Sequence, residues 1–143
     1  MKTLIIILLL SVFSFIGKAQ VNVLMKNEEQ IKQLIASNMS GIYDETKYSN
    51  KGEKIMFFKF PYENPLLAAE CYIADQGVCY YCVYTYKNDD LMNKYVESIK
   101  VSPGFKRVEG TFQFVNNGGY TVEFGRREHN EMTITFFLSE KTD

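Results

Sequence analysis

Between Arg107 and Leu138 apolar and polar residues alternate with a period of two. Val108, Phe112, Phe114, Tyr120, Val122, Phe124, Met132, Ile134, Phe136 and Leu138 hold even positions, and Arg107, Glu109, Thr111, Gln113, Thr121, Glu123, Thr133 and Thr135 hold odd ones. Successive side chains of a strand point to opposite faces, so this segment predicts a sheet with one buried face and one wet face. Directly opposed residues share a face, and paired numbers must therefore have an even sum. A three-residue loop at Asn117-Gly118-Gly119 meets that condition, pairing Phe112 with Phe124 and Phe114 with Val122. A two-residue Asn117-Gly118 turn puts Phe114 opposite Thr121 instead.

The first half carries a helix and three more strands. Asn27 with Gln30 has the spacing of a capping box, and Ile31, Leu34, Ile35 and Met39 recur at helical period, which predicts a helix over 28–40 with Gly41 as its stop. Ile55 to Phe60 reads as a strand ended by Pro61, and residues 69–74 and 78–86 as a hairpin around Asp75-Gln76-Gly77. Asn88, Asp89 and Asp90 then cap a second helix with the stripe Leu91, Met92, Tyr95, Val96 and Ile99, closed by Pro103 and Gly104. The expected fold is α+β, a two-layer sandwich with two helices on one face of an antiparallel sheet, in the order α-β-β-β-α-β-β-β. In that order it is similar to small secreted tandem αβββ domains such as the β-lactamase inhibitor proteins, an architectural likeness without a shared motif.

The N-terminus sets the expected compartment. Lys2, the apolar run Leu4 to Ile16 and the small-residue exit Gly17-Lys18-Ala19 resemble a cleaved Sec signal peptide over residues 1–19. The run has 13 residues, interrupted by Ser11 and Ser14, short of the roughly 20 that cross a bilayer. The expectation is a single α+β domain over 20–143, periplasmic or extracellular, with no stable membrane anchor once the signal is cut. Without Lys2 and Lys18 the chain holds 14 Lys plus Arg against 17 acids, a net charge of −3. That balance lacks the cationic excess that neutralises a phosphate backbone, so nucleic acid is not an expected partner.

The first-half strands are apolar or aromatic on both faces: Ile55 and Phe57 against Met56, Phe58 and Phe60, then Tyr81 and Val83 against Tyr80, Tyr84 and Tyr86. One core accounts for one face only. The second requires a cover, from the chain's own loops and long side chains, a second subunit or a ligand. Phe57, Tyr72, Tyr81, Tyr84 and Tyr86 are therefore the candidate binding surface, since Tyr is favoured where a surface is half apolar and half wet.

Cys71, Cys79 and Cys82 are the three cysteines. A two-residue Gln76-Gly77 turn opposes Cys71 to Cys82, the candidate disulfide, and an odd loop centred on Asp75 opposes Cys71 to Cys79. Cys79-Tyr80-Tyr81-Cys82 matches the redox spacing CxxC, but such sites need a helix N-terminus to depress the thiol pKa, and this segment is strand-forming. In a regular strand positions 79 and 82 also point to opposite faces. No second ligand pair supports zinc. His129, beside Glu128 and Glu131, has no fitting nucleophile, Asp89 and Asp90 fit helix capping better than acid-base work, and Asn117-Gly118-Gly119 lacks the context of a phosphate loop. Lys106, Arg107, Arg126 and Arg127 could gather at one sheet end to bind an anion or serve as a solvated edge. The expectation is a non-enzymatic binding module without metal or cofactor, whose partner is an unknown protein or ligand outside the cytoplasm. The alternatives are an enzyme assembled from residues such as Cys82, His129 and Glu131, or a self-associating structural protein.

Overall fold

The computed structural model describes residues 22–127 and 131–139, the side chain of Leu91 excepted. The signal-peptide reading of residues 1–19 and the reading of His129 lie outside them. Helix α1 (Glu28–Met39) starts with the expected capping box. The Asn27 side chain accepts from the Gln30 N–H at 3.0 Å, and Gln30 Oε1 accepts from the Asn27 N–H at 3.1 Å. Ile31, Ile35 and Met39 form its buried stripe. The expected stop at Gly41 is displaced by one residue, because the left-handed position is Ser40 (φ 58°, ψ 27°). The Ser40 N–H returns to Ala36 O and the Gly41 N–H to Ile35 O, closing the last turn. Gly41 has a different reason to be glycine: a Cβ there would lie 2.4 Å from Ile35 Cγ2 and 2.8 Å from Phe60 Cε1.

The α+β class is as the sequence implies, but each half has four strands where three are expected. After α1 come β1 (Ile42–Tyr48), β2 (Lys54–Lys59), β3 (Leu66–Ile73) and β4 (Cys79–Tyr86); after helix α2 (Asp89–Lys100) come β5 (Phe105–Arg107), β6 (Gln113–Asn116), β7 (Tyr120–Arg126) and β8 (Met132–Leu138). The strands absent from the expectation, β1 and β5, are the two edges. Neither shows an apolar period, since β1 is exposed along nearly its whole length and β5 has three residues, of which only Phe105 packs against the core. Hydrogen bonding to a neighbour, rather than periodicity, makes them strands. The unit is thus α plus a four-stranded meander, which departs from the tandem αβββ pattern.

The strands form one antiparallel sheet in the order β1-β2-β3-β4-β8-β7-β6-β5. Two meanders meet where β4 pairs antiparallel with β8, Cys82 opposite Phe136 and Tyr84 opposite Ile134. The order is the same from either edge, as a two-fold axis through the β4/β8 seam requires. That symmetry keeps both helices on one face.

The core lies between the helices and this face. It takes Met56 and Phe58 from β2, Cys71 and Ile73 from β3, Cys82 and Tyr84 from β4, Phe114, Val122 and Phe124 from β6 and β7, and Ile134 and Phe136 from β8. The Asn117–Gly119 loop has the expected three residues, and Phe114 pairs with Val122. The even-position rule fails at its ends, where Val108 (36% exposed), Phe112 (71%) and Leu138 (39%) are open to solvent. β6 begins only at Gln113, so Val108 and Phe112 belong to the bend that joins β5 to β6.

Candidate functional site

Among the described residues the opposite face carries no helix. A lateral row crosses it by direct pairing: Ile55 with Tyr72, Tyr72 with Tyr81, Tyr81 with Phe137, Phe137 with Thr121 and Thr121 with Val115. The Tyr72 and Tyr81 rings meet edge to face at 5.1 Å, Tyr81 lies 6.3 Å from Phe137, and Tyr80 adds a ring 6.5 Å from Tyr72. Ile55 and Val83 are buried yet stand outside the helix-side core. Long side chains supply part of the cover. Lys47 Nζ sits 5.3 Å from the Phe57 ring centre. Arg127 reaches over the face to Glu70 with two hydrogen bonds, at 2.5 and 3.1 Å. The bond to Glu70 holds the guanidinium above its usual range. Burial pushes the Tyr72 hydroxyl up, with the Glu70 charge beside it adding to the effect.

Of the candidate aromatic residues, Phe57, Tyr72 and Tyr81 come together on this face, and Tyr84 and Tyr86 do not. They are 0% and 4% exposed, in the helix-side core. Position parity separates them from Tyr81, since alternate residues of β4 point to opposite faces. Sequence reasoning missed Phe137, which completes the row, and the Glu70–Arg127 pair. Phe137 was legible as the odd-numbered aromatic inside an even-numbered apolar series; a pair spanning four strands has no local signal.

The cysteines occupy the core side of the same hairpin. The turn is a three-residue loop, with Gly77 at φ +79° and the Ala74 N–H bonded to Val78 O. Its pairing sum of 152, seen at Ile73/Cys79, becomes 153 from Tyr72/Tyr81 to Ala68/Thr85, so Tyr80 is the extra residue of a β-bulge, and a second shift restores 152 at Leu66/Tyr86. The bulge overturns the expectation that Cys79 and Cys82 face opposite ways, and all three thiols are fully buried together. Cys71 lies directly opposite Cys82, Sγ to Sγ 3.3 Å. Hydrogen bonding to Cys79 and Cys82, together with burial, pushes the Cys71 thiol up. The bond from Cys71 pulls Cys79 down against its desolvation.

The bulge also aims Tyr80 at Glu53, whose carboxylate accepts from the hydroxyl at 2.8 Å. Burial, with that bond, pushes Tyr80 up to about 12, and the bonds from Tyr80 and Ser49 hold Glu53 below its usual range. Tyr80 and Glu53 line a cleft of about 620 Å³ with the ion-paired Glu28 and Lys54. The basic cluster assembles only in part, with Arg107 and Arg126 beside one cleft and Arg127 drawn away. Arg127 goes to Glu70, and Arg126 pairs with Asp89 at 3.1 Å in the first turn of α2. Arg107 donates to Thr111 O and lines, with Arg126, Phe112 and Phe124, a second cleft of about 510 Å³ under α2.

Of the three residues named for an enzyme, His129 lies outside the described residues and the other two lie apart. Cys82 is fully buried, and Glu131 precedes the strand whose Phe136 opposes Cys82, roughly 16 Å away at the strand rise. Among the described residues no group of His, Cys, Asp and Glu is placed to hold a metal ion, and no helix is long and apolar enough to cross a membrane. Compared with known protein families, curated protein sequences and solved structures, the chain matches none.

Proposed function

We propose that the protein is an exported, non-catalytic binding module that recognises another protein through the helix-free face of its sheet. The observation that carries this reading is the row Ile55–Tyr72–Tyr81–Phe137, which runs over the central strands with no described element packed on it. Tyrosine suits such a surface because it offers a large rigid contact with a polar tip at low entropic cost. The Glu70–Arg127 pair beside the row adds a charged edge that orients a partner more than it strengthens the bond. The signal-like N-terminus supports action outside the cytoplasm.

A photo-crosslinking amino acid placed at Tyr81 or Phe137 in the producing cell tests it, with Tyr62, 91% exposed in the β2–β3 connection, as the control position. The expected result is one discrete protein adduct from positions 81 and 137, lost on Tyr72→Ser and absent from position 62. Equal labelling from all three positions refutes a dedicated face, and adducts solely between copies of the chain replace the reading with self-association.

A further inference from the structure

We infer that Cys71 and Cys82 form a cross-strand disulfide in the oxidised protein, leaving Cys79 as a thiol, and that this bond locks the register that decides which side chains of β4 face the helix-free surface.

The geometry selects the pair. Cys71 and Cys82 are directly opposed on adjacent antiparallel strands with their sulfurs 3.3 Å apart. Opposed residues have Cα atoms about 4.5–5.5 Å apart, inside the span a disulfide bridges, about 4.4–6.8 Å. Cys79 opposes Ile73, which makes it the diagonal neighbour of Cys71, at about 7–8 Å. Its Sγ hydrogen-bonds to Tyr81 O at 3.4 Å and also to Cys71, so the backbone span across the strands, and not sulfur contact alone, favours Cys82 as the partner.

The register needs a lock because this hairpin has two available. The loop sets a sum of 152, and the Tyr80 bulge changes it to 153. Without the bulge, 152 would run on, opposing Cys71 to Tyr81 and Glu70 to Cys82. The β4 side chains from Tyr81 to Thr85 would change face, taking Tyr81 into the core and Tyr84 out of it, whereas Tyr86 already pairs with Leu66 at a sum of 152 after a second shift. A Cys71–Cys82 bond exists only in the bulged register.

The three thiols are fully buried in the folded chain, so the bond forms as the hairpin folds. One thiolate attacks a small-molecule or protein disulfide, releasing a thiol and giving a mixed disulfide. The second thiolate then displaces the other half. Two cysteine thiols lose two protons and two electrons, and the oxidant disulfide becomes two thiols.

The test is a thiol map of the full chain, refolded from the reduced, denatured state in a mixture of reduced and oxidised glutathione and then alkylated with N-ethylmaleimide in denaturant. No Lys or Arg lies between Cys71 and Cys82, so the digest uses cleavage before Asp75 and after Tyr80 or Tyr81. The expected result is maleimide on Cys79 alone and a linked pair of peptides carrying Cys71 and Cys82. The same link should survive Cys79→Ala, and added reductant should lower the melting temperature of wild type and Cys79→Ala but not of Cys71→Ala/Cys82→Ala. Maleimide on all three cysteines, a Cys71–Cys79 link, or a melting temperature indifferent to reductant overturns the proposal. None of these outcomes depends on whether the helix-free face binds a partner.

Discussion

Moving one glycine by one residue at the end of α1 separates two reasons for its presence. If Gly41 were there for a left-handed backbone, Gly41→Ala would cost a strain term and Ser40→Gly would merely loosen the chain. The structure puts the left-handed residue at Ser40 and leaves Gly41 outside that region. An L-residue in that conformation is disfavoured by about 1–2 kcal/mol, and a glycine gives back about 0.5–1 kcal/mol through unfolded-state entropy. Ser40→Gly should therefore stabilise by about 0.5–1 kcal/mol. For Gly41→Ala the new methyl meets Ile35 Cγ2 at 2.4 Å and Phe60 Cε1 at 2.8 Å, over 1 Å inside the first contact's optimum of about 3.5–4.0 Å. The Phe60 ring is half-buried and can yield, but Ile35 is fully buried and β-branched, with a stiff χ1. Overpacking of this kind costs about 1–3 kcal/mol, less up to about 1 kcal/mol from the stiffer unfolded chain, a net loss of about 1–2 kcal/mol. Thermal melts should move up by about 2–4 °C for Ser40→Gly and down by about 4–8 °C for Gly41→Ala. A neutral Gly41→Ala would refute the close-contact argument, and a destabilising Ser40→Gly would refute the left-handed assignment of Ser40.

Urea unfolding should divide the tyrosines of β4. Tyr84→Ser empties a fully buried site and should cost about 3–5 kcal/mol, on the scale of aromatic truncation, while Tyr81→Ser on the half-buried face should cost about 1 kcal/mol; equal losses would contradict the assigned faces. Asn27→Ala removes the α1 capping box and should lower stability by about 1 kcal/mol, with no effect if Gln30 and Asn27 do not bond each other in solution. Near-ultraviolet titration should show late ionisation of Tyr72, Tyr80, Tyr84, Tyr86, Tyr95 and Tyr120, all pushed up, chiefly by burial. For Tyr80 the folded state holds the proton more tightly than the unfolded one. Its stabilising share is thus full below about pH 10 and lost as pH rises through about 12; Tyr80→Phe should flatten stability over that window, and an unchanged slope would remove Tyr80 from the linkage.

The residue pattern by itself determined the class of fold, both helices and the strands that bury an apolar side, because burial writes its period into the sequence. The Asn27 capping box and the Asn117–Gly119 loop were legible because they are local: a few adjacent residues carry the whole interaction. The edges β1 and β5 were not, since their pairing uses backbone groups that every residue has. The candidate surface was half legible. An excess of aromatics over what one core needs was visible from Ile55 to Tyr86, but which of them face outward depends on the pairing sum, and that is decided by one extra residue at Tyr80. Tertiary structure alone assigned Tyr81 to the open face and Tyr84 and Tyr86 to the core, joined Phe137 to Tyr81 over the β4/β8 seam, and brought Arg127 to Glu70. Each of these rests on contact between strands far apart in the chain, where the sequence supplies the groups and only the folded register supplies their distance.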